Sequence, residues 1–140
     1  MTKEMITTIK IDYINAINET FTNKKIAFRR IECSDNVILY LCETSYGQTF
    51  NLQIRNHQEL KIWSFIGITS IVRAGAKCER KNENDSYSFC GIEITDDGDL
   101  SFYMKDILAI DGSTAIDRIQ NLITTYVNMI SHLLALCSEM

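Results

Sequence analysis

From residue 8 onward the apolar positions recur at helical spacing. Ile9, Tyr13, Ile14, Ile17 and Phe21 fall on one side, which predicts an amphipathic helix over 8–22. Asn23 reads as the left-handed residue that ends it, and Lys24 and Lys25 lie where positive charge suits the carbonyl end. The period then shortens to strand-like runs. Residues 26–33 lead through Ser34-Asp35-Asn36 into 37–43, an almost wholly apolar run that predicts a central strand covered on both faces. In 49–55, Phe50, Leu52 and Ile54 alternate with Thr49, Asn51, Gln53 and Arg55, so one face only should be buried; Tyr46-Gly47 supplies the turn before it. A further strand is expected over 60–66.

Helical spacing of Ile68, Ile71, Val72 and Ala76 predicts a short middle helix over 69–81, followed by a polar loop over 82–86. Two alternating runs, 88–95 and 100–105, flank Asp97-Gly98. That dipeptide predicts a β-hairpin with a two-residue loop whose central positions both have positive φ. The last element is a helix over 114–137, with Thr114 or Ser113 as its cap. Its apolar residues fill four of seven heptad positions, a stripe wider than packing on one sheet face requires. Together these runs describe an α+β fold in a single domain, 1–140. A twisted antiparallel sheet of five or six strands packs against an N-terminal helix and a long C-terminal helix, with the short middle helix between.

Composition narrows the functional classes. At 140 residues and 46% hydrophobic content there is material for one core, and a net charge of -4 argues against a polyanion as main partner. No apolar run is long enough for a bilayer span and no export signal is evident, so a cytoplasmic protein is expected. Cys33, Cys42, Cys78, Cys90 and Cys137 form an odd set with no C-x-x-C pair, which reads as reduced, mostly buried thiols. His57 and His132 lack ligands at metal-binding spacing, so no metal and no cofactor are expected. Asp96, Asp97 and Asp99 fail the calcium-loop pattern, because the sixth and twelfth places counted from Asp97 are Phe102 and Leu108. No phosphate-cradling, nucleophile-elbow or zincin signature occurs, and no catalytic residue is assigned. The basic residues Arg73, Lys77, Arg80 and Lys81, and Lys24, Lys25, Arg29 and Arg30, read as solvated faces.

Aromatic residues form the more informative constellation. Trp63, Phe65, Tyr87, Phe89 and Tyr103 occupy registers opposite the inward-facing positions. If helices cover one sheet face, these rings make an exposed patch suited to a protein or peptide partner; if helices cover both, they are core.

The element order resembles the type III secretion chaperone-like fold, and especially the YbjN-like family of small bacterial proteins. The likeness is carried by the run Asp96-Asp97-Gly98-Asp99-Leu100-Ser101-Phe102-Tyr103-Met104, then Ile107-Leu108-Ala109-Ile110, Asp111-Gly112-Ser113 and the long helix. In that family an acidic Gly turn, a strand, a short apolar ledge and a closing helix follow one another in this way. The resemblance implies a small acidic protein that dimerises and binds another polypeptide without catalysis. The resulting expectation is a non-enzymatic binding module, chaperone-like or regulatory, acting as a homodimer, whose dimer contact is the surplus apolar flank of the last helix. The alternatives are a small-ligand-binding or enzymatic domain with its pocket between sheet and helices, and an accessory or immunity protein that blocks a partner.

Overall fold

The computed structural model of the chain describes residues 2–57, 59, 62–73, 90–108 and 114–138. Its elements are helix α1 (Lys3–Asn23), strands β1 (Ala27–Ser34), β2 (Val37–Glu43), β3 (Thr49–Asn56), β4 (Trp63–Arg73), β5 (Cys90–Ile94) and β6 (Leu100–Ile107), and helix α2 (Ala115–Ser138). The six strands form one sheet in the order β1-β2-β3-β4-β6-β5, antiparallel at every pairing. The α+β architecture is as the periodicity predicts, except for the middle helix. Strand β4 runs unbroken through residues 69–73, and the remainder of that expected helix, 74–81, lies outside the described residues. Ile68 and Val72 repeat at helical spacing, but they also share strand parity with Ile66 and Ser70. The β-branched run is held in the ladder by Thr69↔Tyr103, Ser70↔Phe102 and Ile71↔Ser101.

Helix α1 begins earlier than 8–22 predicts, because Thr2 is the cap: its hydroxyl accepts from the Met5 N–H at 3.2 Å. Thr7 and Thr8 lie inside the helix, where their hydroxyls donate to the carbonyls of Lys3 and Glu4 at 3.0 Å each. At the other end Lys25, not Asn23, takes the left-handed conformation, with φ 58°. The Ile26 N–H donates to Phe21 O at 2.9 Å and the Lys25 N–H to Thr22 O at 3.1 Å, the paired closure that satisfies the last carbonyls. Ile26 and Phe21 are both buried, so the exit of the helix is also an apolar contact.

The β2–β3 and β5–β6 hairpin turns share one construction. Thr44 and Gln48 pair at 2.9 Å, Gly47 has φ 87°, and the Thr44 hydroxyl accepts the Gln48 N–H at 3.1 Å. Thr95 and Asp99 pair at 2.8 Å, Gly98 has φ 82°, and the Thr95 hydroxyl accepts the Asp99 N–H at 3.1 Å. Each is a three-residue loop with one left-handed glycine. The hairpin expected at Asp97-Gly98 therefore exists, but Asp97 keeps negative φ and the loop is one residue longer than that dipeptide suggests.

Both helices lie on the same face of the sheet, with α2 packed on α1, β4 and β6. Between them and the strands, rings touch in a continuous series. Phe28 meets Phe21 and Tyr40 at 5.5 and 5.9 Å, Phe21 meets Phe50 at 6.0 Å, Phe50 meets Tyr126 at 5.7 Å, and Tyr126 stacks on Phe102 at 4.9 Å. The interior is thus filled from β1 to β6. Two phenols in it keep hydrogen-bond partners: Tyr40 donates to Asn18 Oδ1 at 3.0 Å, and Tyr126 donates to Phe102 O at 2.9 Å while its oxygen meets Ser70 Oγ at 2.5 Å. Burial pushes the Tyr126 hydroxyl far up, and it pushes Tyr40 up to about 12 against an opposing pull from Arg30, so both remain neutral donors.

The width of the α2 stripe has a use inside one subunit. Ile119, Leu122, Ile123, Tyr126 and Ile130 are buried against the sheet and α1 together, which requires a broader apolar arc than one contact would. Met129 and Leu136 stay exposed, at 38% and 59%. The expectation of mostly buried cysteines holds for Cys42, whose thiol burial pushes up to about 12, and fails for Cys33 and Cys90, which are exposed. No helix among the described residues is long and apolar enough to cross a membrane.

Candidate functional site

The second face of the sheet carries no packed helix or loop among the described residues. Its side chains form rows across the strands. One row runs Arg29, Leu41, Asn51, Thr69, Tyr103 and Gly91. The next runs Ile31, Leu39, Gln53, Gly67 and Lys105, and beyond it lie Val37, Arg55, Phe65 and Ile107. A groove of about 350 Å³ opens over the middle row, walled by Leu39, Asn51, Gln53, Phe65, Tyr103 and Lys105.

Strand β2 shows why this face escapes a reading of the pattern. Ile38, Tyr40 and Cys42 are buried against the helices, but Leu41 on the opposite side is 39% exposed. The run 37–43 is therefore neither the middle strand nor covered on both faces; it is second from the β1 edge, and its apolar outer side contributes to an open surface. Strand β3 behaves as its alternation predicts, with Phe50, Leu52 and Ile54 buried and the amides Asn51 and Gln53 facing out.

Of the five aromatic residues expected on this face, Phe65 and Tyr103 are there. Trp63 is not: it is 3% exposed and belongs to the core beneath α1, where Lys10 Nζ sits 5.6 Å from its ring centroid. The cause is a bulge. Arg55 pairs with Phe65 and Asn56 with Trp63, so one step along β3 opposes two along β4, and Ser64 is the extra residue. Simple alternation would put Trp63 and Phe65 on one side; the bulge sends them to opposite sides. Tyr87 and Phe89 lie outside the described residues.

Two glycines make beds for the two rings. A Cβ on Gly67 would stand 3.1 Å from the Phe65 ring, and one on Gly91 would stand 2.8 Å from the Tyr103 hydroxyl. Each ring thus lies across a residue with no side chain: Phe65 covers the glycine two residues further along its own strand, and Tyr103 covers its cross-strand partner in β5. The rings also carry cations: the Arg55 guanidinium is 4.4 Å from the Phe65 centroid and Lys105 Nζ is 5.7 Å from that of Tyr103. The site residues missed by pattern reasoning are Leu39, Leu41, Gln53, Arg55 and Lys105. The apolar outer parity of 37–43 and the aromatic–glycine pairings were the signals available.

Among the described residues no group of three or more His, Cys, Asp or Glu side chains is placed to hold a metal ion. No known protein family matches the chain, and no curated protein sequence matches it.

Proposed function

We propose that the protein is a non-catalytic binding module, chaperone-like or regulatory, that takes another polypeptide on the open face of its sheet. The observation that carries this reading is the contrast between the two faces: the helix side is closed by a continuous series of aromatic rings, while the other side presents a groove with Phe65 and Tyr103 beside Leu39. Apolar surface rimmed by groups that can both donate and accept, here Asn51 and Gln53, suits a peptide backbone and its side chains together. Among the described residues that series of rings occupies the space between sheet and helices, where a small-ligand enzyme would hold its pocket. The order of helices and strands keeps the chaperone-like resemblance as part of the proposal. A homodimer is not part of it, since α1 and the sheet absorb most of the apolar stripe that motivated one.

A photoactivatable cross-linker placed at Gln53 should join the protein to another polypeptide in native lysate, whereas one at Asn121 on the exposed side of α2 should not. Adding Phe65→Ser and Tyr103→Ser should remove the Gln53 product while the fold persists. Equal labelling from both positions, or a product indifferent to the two rings, would overturn the reading.

A further inference from the structure

Strand β1 ends the sheet: it pairs with β2 on one side, and no strand among the described residues pairs with its other side. The neighbouring ladder shows which of its backbone groups are left over. The Asn56 N–H donates to Asn36 O and the Thr44 N–H to Gln48 O, at 2.9 Å each, and both pairs continue the register that sets Val37 opposite Arg55. Hydrogen-bonded pairs alternate along an antiparallel ladder, so Ile38, Tyr40 and Cys42 turn their N–H and C=O toward β3, while Leu39 and Leu41 turn theirs toward β1. Ile31 and Arg29, which face Leu39 and Leu41, are thereby paired, and the N–H and C=O of Phe28, Arg30 and Glu32 point out of the sheet edge. Such a row is a template for another strand, and charged side chains along it normally block the pairing. On β1 those charges differ in sign between Arg30 and Glu32, so they block some registers and favour one.

We infer that this edge pairs with β1 of a second copy of the chain, antiparallel about a two-fold axis at Ile31. In that register Arg30 of each copy lies opposite Glu32 of the other and exchanges both backbone hydrogen bonds with it, and Ile31 lies opposite Ile31 on the open face. The adjacent registers that keep outward backbone groups opposed set Arg30 opposite Arg30, Glu32 opposite Glu32, or Arg29 opposite Arg29. Each of these opposes like charges. The pairing does not require the charges to be free beforehand. Glu32 keeps Lys10 Nζ at 3.7 Å, because a carboxylate has lone pairs for more than one cation, and the several N–H donors of Arg30 let it stay beside the Tyr40 hydroxyl. The interface leaves α2 and the groove uncovered, and it stands independently of the polypeptide reading. Its consequence is a sheet continuous across two subunits, with both open faces on one side.

Sedimentation velocity of the full chain should show a dimer that grows with concentration. Arg30→Glu and Glu32→Arg should each weaken self-association by roughly tenfold, and an equimolar mixture of the two variants should recover it, since Glu then faces Arg at every charged pair. Recovery on mixing is a result that a merely structural role for either residue would not produce, and thermal melts confirm that each variant folds. The register is read separately by cross-linking. Ile31→Cys in a Cys33→Ser background should form an intermolecular disulfide under mild oxidation, because facing residues of a non-hydrogen-bonded pair bring their side chains close. Arg29→Cys in the same background, and Cys33→Ser alone, should not. A wild-type chain that stays monomeric up to about 1 mM, an association that the charge variants leave unchanged, or a disulfide from Arg29→Cys in place of Ile31→Cys would each overturn the inference.

Discussion

Trp63→Ala should destabilise the protein by about 3–5 kcal/mol, the range for removing a large buried aromatic. Phe65→Ala, two residues away, should cost about 1 kcal/mol or less, because its ring lies on an open face. The opposite pattern, equal modest effects, is what an unbroken strand with both rings outward would give. The difference arises at Ser64, the residue inserted between the Arg55↔Phe65 and Asn56↔Trp63 pairs. Urea unfolding of the two variants measures it directly. A Phe65 variant less stable than the Trp63 variant would mean that the bulge is wrongly placed.

Tyr126→Ala should have a comparable effect, about 3–5 kcal/mol, since it removes the stack on Phe102 and the contact with Phe50 at once. Tyr126→Phe separates the polar part. It keeps the rings and removes only the hydroxyl, leaving Ser70 Oγ without its phenol partner in a buried position and freeing Phe102 O of one donor. A loss of about 1–3 kcal/mol is expected for the phenylalanine variant. Adding Ser70→Ala to Tyr126→Phe should restore part of that loss, because the unpaired hydroxyl disappears, and the two changes should therefore be non-additive. Denaturant midpoints for the three variants decide it. Strict additivity would show that the two hydroxyls do not act as a pair.

These expectations indicate how far the sequence carries. Periodicity is sufficient for α2, for β3 and for the hairpin, where one face is buried and the other wet, so the apolar pattern and the backbone period agree. It is insufficient where two periods coincide. Ile68, Ile71 and Val72 satisfy both a helix and a strand, and only pairing with β6, supplied from thirty residues away, settles the matter for residues 69–73. It is also insufficient for the run 37–43, because continuous apolar character has two causes. One is coverage on both faces; the other is an apolar outer side left partly exposed, which Leu39 and Leu41 represent.

The candidate site divides in the same way. Phe65 and Tyr103 were legible from alternation, while Trp63 was misplaced by a single inserted residue that no local pattern marks. The glycines carry more information than they first offer. Gly67 and Gly91 are in strands, where glycine weakens packing, and each lies beneath a ring of the open face. The turn glycines are different: Gly47 and Gly98 are set by φ of 87° and 82°, and the threonine three residues before each marks the motif in the sequence. Reading Thr-x-x-Gly as a unit distinguishes the three-residue loop from the two-residue one.

Under the proposed function the sheet has one sealed and one accessible face, with a polypeptide taken up on the accessible one. Methyl NMR with a soluble paramagnetic gadolinium chelate tests this in the isolated protein. Leu39, Leu41, Ile71 and Ile107 should be strongly relaxed, while Leu52, Ile54, Ile66 and Ile68 should be spared, and a bound polypeptide should protect Leu39 and Leu41. Protection of Leu39 and Leu41 in the protein alone would contradict the account.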